Sequence, residues 1–147
     1  MEKEINKELS SEEKIIEAAR KLFTQKGFAA TKTRDIAEEA DSNLALLNYY
    51  FRSKQNLFQI IIEKEGEELF GIITPILSNK EISLEEKIET LVSSYTKLLL
   101  GNPDLPFFVL SEIKGNDFIA KRVKQNAEIL SQPIIENQLR EGGYRVS

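Results

Sequence analysis

The chain has 147 residues, of which 41% are hydrophobic and 30% charged, enough for about one to one and a half ordinary domains with a core. It contains no cysteine and no histidine, which excludes disulfide bonds, Ser-His and Cys-His nucleophiles and the usual zinc ligand sets. The net charge of -4 excludes a protein that is basic all over, although a local basic patch can still bind nucleic acid.

The sequence contains no sign of membrane insertion or export. No apolar run approaches the roughly 20 residues that a membrane span needs. The N-terminal segment MEKEINKELS is charged and lacks the apolar region of a secretion signal. We therefore expect a cytoplasmic protein without a membrane partner.

The first predicted element is a helix from Ser10 to Lys26. Ser10 and Glu13 have the spacing of a capping box, in which each side chain bonds a free backbone N–H group at the helix start. Apolar residues recur at helical spacing and predict a buried stripe of Ile15, Ala18, Ala19, Leu22 and Phe23. Gly27 is the predicted C-cap, because glycine adopts a left-handed conformation without a steric penalty.

Two short helices follow in residues 33–54, TRDIAEEADSNLALLNYYFRSK. We predict a first helix from Arg34 to Ala40 with Thr33 as its N-cap, then a turn at Asp41 and Ser42. Asn43 is the predicted cap of the second helix. This is the geometry of a helix-turn-helix, whose second helix can enter a DNA major groove, but an ordinary helical hairpin has the same outline.

The second short helix separates its apolar and polar residues. Leu44, Leu47 and Phe51 share one face and are predicted to pack on the preceding helices. The other faces carry Ala45, Asn48, Tyr49 and Arg52. A small residue lets the backbone approach DNA, asparagine can contact adenine, and tyrosine and arginine can donate to phosphates. Adjacent helical positions face different ways, so we expect one of Tyr49 and Tyr50 in the core and the other exposed.

The start of the first short helix is a candidate phosphate site. Its residues are Thr31, Lys32, Thr33 and Arg34. Hydroxyl and basic groups at a helix N-terminus suit an anion, although capping and simple solvation are the plainer roles of these side chains. No acidic residue occurs from Ser42 to Lys54, a bias that a phosphate-facing surface needs.

The remaining chain is predicted to be helical. Ser53 caps a long helix from Lys54 to Leu77, in which Gly66, Gly71 and Pro75 introduce bends.

Further helices are predicted from Leu84 to Leu100, capped by Ser83, and after Pro106. A last helix runs from Phe118 to about Arg140, and Pro133 must kink or split it.

A small molecule could bind between these later helices. The candidate lining residues are Phe70, Ile73, Tyr95, Phe107, Phe108 and Ile129. Each of them is more often plain core, because apolar residues at helical spacing usually serve packing. Carboxylates such as Glu63, Glu67 and Glu68 indicate a solvated helix face, and no Gly-rich phosphate loop occurs. We therefore expect no enzyme activity, no cofactor and no metal.

Residues 15–58 resemble the N-terminal domain of TetR-family transcriptional regulators. The matching positions are Ile15, Ala18-Ala19, Leu22-Phe23, Gly27-Phe28, Thr31, Thr33, Asp35-Ile36-Ala37, Ala40, Leu47, Tyr49-Tyr50-Phe51, Lys54 and Leu57-Phe58. Two places depart from the family pattern: Asp41-Ser42 replaces the usual glycine and apolar residue, and Asn48 replaces a tyrosine.

The resemblance implies an all-α protein with two domains. A three-helix helix-turn-helix domain occupies residues 10–54, and a helical ligand-binding and dimerisation domain occupies residues 55–147. It implies DNA contacts from Lys32, Thr33, Arg34, Asn43, Leu44, Ala45, Asn48, Tyr49, Tyr50 and Lys54. Family members usually carry two more C-terminal helices that form the dimer interface. We therefore expect the second domain to be incomplete; the alternatives are a protein that dimerises differently or a monomer with weak DNA affinity.

The function that this resemblance implies is a ligand-responsive DNA-binding regulator, most often a repressor. Its partners would be a near-palindromic double-stranded DNA operator, a second copy in a homodimer, and a small apolar effector of unknown identity. The alternative is a helical protein-interaction module that has lost DNA binding, which the Asp41-Ser42 turn and Asn48 motivate.

Overall fold

The structure is a computed structural model that describes residues 9–145. The described residues form α-helices joined by turns, which confirms the predicted all-α class. The helices are α1 Ser11–Lys26, α2 Thr33–Glu39, α3 Leu44–Phe51, α4 Lys54–Phe70, α5 Ile73–Leu77, α6 Leu84–Gly101, α7 Leu105–Leu110, α8 Asp117–Leu130 and α9 Pro133–Glu141. None of them combines the length and the apolar character that crossing a membrane requires.

The chain divides into two compact units, one up to Ile61 and one from Ile62 onward. The division falls within α4 and not at the predicted boundary between residues 54 and 55. The boundary between a DNA-binding domain and a ligand-binding domain at residues 54 and 55 stays a prediction. The last two residues of the predicted second domain, 146–147, lie outside the described residues.

The first helix begins and ends as its sequence predicts. The Ser10 hydroxyl oxygen accepts the Glu13 N–H at 3.2 Å, and the Glu13 carboxylate accepts the Ser10 N–H at 3.2 Å, which completes the capping box. The predicted apolar stripe of α1 is buried. Gly27 ends the helix with a φ of +83°, a value that favours glycine.

The predicted cap of α2 is wrong by one residue. Lys32 has the extended backbone of an N-cap and makes no side-chain cap bond, while Thr33 is already the first helical residue. The chain is fixed just before this point by Thr31, which is buried. Its hydroxyl group lies 2.7 Å from the Gly27 carbonyl oxygen and 3.2 Å from that of Leu22. These contacts hold the residue just before the N-cap inside the unit.

The long helix predicted for residues 54–77 is also wrong, because it is two helices. Ser53 caps α4 as predicted, and its hydroxyl oxygen accepts the Asn56 N–H at 3.1 Å. The break comes between Phe70 and Ile73. Pro75 has no N–H, and its ring collides with the carbonyl group four residues earlier in a continuous helix, which here is that of Gly71.

The second unit packs α5, α6, α8 and α9 together. Leu77, Ile129 and Ile135 form one buried cluster, and Pro133 splits the last predicted helix into α8 and α9. Lys87 is fully buried and donates to the Gln138 side-chain oxygen at 2.7 Å, and burial lowers the pKa of its amine.

We expect Thr31→Val to lower the free energy of unfolding by about 1–2 kcal/mol, because it removes the buried hydroxyl group that donates to the Gly27 carbonyl oxygen at 2.7 Å. The matched control is Thr24→Val, since the Thr24 hydroxyl group also donates to a carbonyl oxygen at 2.7 Å but is less buried. Urea unfolding followed by circular dichroism measures both. Equal losses in the two variants would contradict the role given to Thr31.

Candidate functional site

The position of α3 is fixed by two residues one turn apart. Leu47 and Phe51 lie on the same face of the helix and are both buried within the first unit. The Asn43 side-chain oxygen accepts the Leu46 N–H at 2.8 Å, which confirms the predicted cap. The helix is therefore held by its cap and by one apolar face, and its other faces do not contribute to the core.

The turn before α3 is tight and uses a left-handed residue. Asp41 has a φ of +53°, in the region where the usual glycine of the resembled family carries no penalty. Its N–H donates to the Glu38 carbonyl oxygen at 3.0 Å, and the Ser42 N–H donates to that of Ala37 at 2.8 Å. The predicted turn at these two residues is confirmed, and aspartate tolerates the conformation better than most residues do.

The outer surface of α3 is open to solvent within its unit. The exposed residues are Asn43, Leu44, Ala45, Asn48, Tyr49 and Tyr50. Leu44 is 37% exposed, so the prediction that it packs on the preceding helices together with Leu47 and Phe51 is wrong. Leu44 is the first residue of α3 and therefore lies at the N-terminal end of the helix. Neither tyrosine is in the core, because Tyr49 is 78% exposed and Tyr50 is 38% exposed. Their rings meet edge-on, with 5.4 Å between the ring centres.

The start of α2 presents three of the predicted phosphate-binding residues. Lys32 and Arg34 are exposed, and Thr33 is half-buried. Thr31 does not belong with them, because it is buried and its hydroxyl group bonds carbonyl oxygens inside the unit. Arg52, predicted from the sequence to lie outside the apolar face as a possible phosphate donor, is exposed just after α3 with a φ of +70°.

Lys54 has an internal role that the sequence did not predict. Its amine donates to the carbonyl oxygens of Phe28 at 2.9 Å and Thr31 at 3.1 Å, and lies 4.2 Å from the centre of the Phe28 ring. This cation joins the start of α4 to the loop that leads into α2. A lysine amine has three N–H donors, so one remains that a phosphate could accept.

The second unit contains an apolar cleft of about 430 Å³. Its lining residues are Ile73, Leu77, Leu91, Val92, Tyr95, Asn126, Ala127 and Leu130. Of the predicted ligand-binding residues, the structure places Ile73 and Tyr95 in this wall.

The other four predicted residues lie outside this wall. Phe107 is 81% exposed. It lies on the short helix α7, whose buried residues are Leu105, Phe108 and Val109. Phe70, Phe108 and Ile129 are buried as packing residues.

Two polar side chains interrupt the cleft wall. The Tyr95 hydroxyl group donates to the Leu69 carbonyl oxygen at 2.7 Å, and burial raises the pKa of this phenol. Asn126 donates to the Phe70 carbonyl oxygen at 3.4 Å, while its own side-chain oxygen is buried without a partner. The sequence signal for Asn126 was its place in the buried stripe of α8, with Ile119 and Ile129.

The chain is similar to bacterial transcriptional regulators. The family described as "Bacterial regulatory proteins, tetR family" matches residues 15–61. The "Probable HTH-type transcriptional regulator YttP" of Bacillus subtilis is 29% identical over 135 residues, which are 91% of this chain and 65% of that protein. The HTH-type transcriptional repressor KstR2 of Mycolicibacterium smegmatis is 23% identical over 141 residues, 92% of this chain and 68% of that one. This chain thus spans just under two thirds of the length of YttP.

Solved structures share the fold. The hemolysin II transcriptional regulator HlyIIR superposes with a TM-score of 0.72 at 24% identity, over 93% of this chain and 78% of that one. A TetR-like transcriptional regulator from Rhodococcus sp. RHA1 gives 0.71 at 18% identity, over 90% and 73%. The arrangement of helices is therefore that of TetR-like proteins.

We expect Asp41→Gly to raise the free energy of unfolding by about 1 kcal/mol, because glycine removes the left-handed strain at this turn. Asp41→Asn is the control, since it removes the same charge and keeps a side chain of the same shape. Thermal unfolding measures both variants. A gain of the same size in Asp41→Asn would assign the effect to charge and not to the backbone.

Lys54→Met should lower the free energy of unfolding by about 1–3 kcal/mol, because two carbonyl groups lose a charged donor. Lys32→Met is the control, as an exposed lysine in the same unit whose loss should change stability by about 0.5 kcal/mol or less. Denaturant titration distinguishes them. An unchanged stability of Lys54→Met would mean that the internal bonds contribute nothing.

Proposed function

The chain belongs to the TetR family of transcriptional regulators, and from this premise we propose that it is a repressor whose α3 binds an operator in double-stranded DNA. The observation that carries the proposal is the exposure of Ala45, Asn48 and Tyr49 on a helix whose Leu47 and Phe51 are buried. Such a helix offers one side to the protein and the opposite side to a groove.

The exposed groups divide by the chemistry that they can perform. Asn48 can form a bidentate contact with adenine, and Ala45 allows a close approach to the base edges. Tyr49 and Tyr50 can donate to phosphates, as can Lys32, Thr33 and Arg34 at the start of α2. Asn43, Leu44 and Lys54 complete the proposed interface, to which the structure's exposed Arg52 is added.

A homodimer would place one α3 in each half of a near-palindromic operator. Two-fold symmetry in the protein matches two-fold symmetry in the DNA, with half-sites separated by about one helical turn or a multiple of it. The net charge of -4 is compatible with this because only the charges that face the phosphates enter the contact.

A small molecule that binds the apolar cleft of the second unit would release the operator. Its binding would favour a conformation of the dimer in which the two α3 helices no longer match the half-site spacing. Linkage then requires that the effector and the operator weaken each other's binding by the same factor.

Tyr49→Ala should weaken operator binding by about tenfold or more, with an unchanged melting temperature, since the side chain is 78% exposed. The control is Tyr144→Ala, which removes another exposed tyrosine from the second unit. The operator is first selected from a random DNA pool, and gel-shift titrations then compare the proteins at two salt concentrations.

The gel-shift titration distinguishes a DNA-binding regulator from a protein-interaction module. Specific binding that weakens as salt rises supports the regulator. A dimeric, folded protein that selects no sequence would instead favour the interaction module, and equal losses in both tyrosine variants would remove α3 from the interface.

A further inference from the structure

Taking the cleft as the effector site, which rests on the proposed function, we propose that it selects a neutral amphiphile: an apolar body with one hydroxyl or amide N–H donor. The inference starts from Asn126, which is only 7% exposed and belongs to the cleft wall. Its side-chain oxygen is shielded from solvent and has no hydrogen-bond partner among the described residues. A buried acceptor left in this state is unfavourable, and a bound donor would remove that penalty.

The orientation of this amide is set by its neighbour. Only the nitrogen can donate to the Phe70 carbonyl oxygen, so the group without a partner is the oxygen, an acceptor. The existing bond is long, at 3.4 Å, and therefore weak. The terminal torsion of asparagine has a broad energy minimum, so a small rotation can bring the oxygen to a ligand in the cleft at little cost.

The second polar group in the wall has the same preference. The Tyr95 hydroxyl proton is used by the Leu69 carbonyl oxygen at 2.7 Å, so the phenol oxygen is left as an acceptor. A ligand that carries a donor can therefore meet either oxygen, whereas a ligand with only acceptors satisfies neither.

The rest of the wall excludes charge. Its other residues are isoleucine, leucine, valine and alanine, and none of the lining side chains is ionised at neutral pH. Moving a carboxylate or ammonium group against such a wall costs far more than moving a hydroxyl group that finds an acceptor. A cleft of about 430 Å³ lies within the usual range for small-molecule sites.

The test compares two isomers in the absence of DNA. 1-Octanol and 1-methoxyheptane have the same atoms, but only the alcohol is a hydrogen-bond donor. Calorimetric titration of the chain should find the alcohol bound about fivefold more tightly, and octanoate bound most weakly. In Asn126→Leu the ratio of alcohol to ether affinity should fall to about one. Gln125→Leu, which removes an exposed amide from the neighbouring position of α8, should leave the ratio unchanged.

A second variant locates the site independently of Asn126. Ala127→Trp fills the cleft from its wall and should abolish binding of both isomers, even if Asn126→Leu does not fold. Equal binding of the two isomers by the unaltered chain overturns the inference, and so does octanoate as the tightest ligand. A chain that binds neither isomer also overturns it, whether sedimentation shows a monomer or a dimer.

These outcomes are separable from those of the proposed function. Alcohol selectivity in a chain that binds no DNA would leave the inference standing and remove the repressor. Specific operator binding without alcohol selectivity would support the repressor and overturn the inference about the cleft.

Discussion

The burial of Leu47 and Phe51 is the constraint on which the rest of the first unit depends. An isolated helix of eight residues is not stable in water, so α3 exists because its apolar face is packed. Burying two such side chains contributes about 3–6 kcal/mol before the cost of ordering the chain. The same packing determines which residues remain outside. Because Leu47 and Phe51 face inward, Asn48 and Tyr49 are directed away from the core.

The loop before α2 holds this packed helix in relation to its neighbours. Phe23, Phe28 and Phe58 bring their rings to within 5.0–5.9 Å of one another, and the Lys54 amine lies against Phe28. One cation thus contacts an aromatic cluster and two carbonyl groups at once. Lys54, one of the DNA contacts that the family resemblance implies, is also a structural link, so its loss would affect both the fold and any DNA contact.

Features with a local cause were predictable from the sequence. The capping box of α1, the Asn43 cap and the left-handed turn at Asp41 each depend on residues within five positions of one another. The exposure of Leu44 and Phe107 was not predictable, because helical spacing identifies an apolar face but not whether a neighbour covers it. The unpartnered oxygen of Asn126 likewise depends on groups 56 residues away along the chain, at Phe70.

The buried lysine of the second unit has a chemical consequence. Lys87 on α6 is enclosed and donates a hydrogen bond to the Gln138 side-chain oxygen on α9, whose amide nitrogen donates to the Ile82 carbonyl oxygen at 3.1 Å. An acylating reagent in solution reaches the exposed amines of this protein directly, but reaches Lys87 only when α6 and α9 separate. The rate of acylation at Lys87 therefore reports how often the helices of the second unit open, and measuring it needs no introduced label.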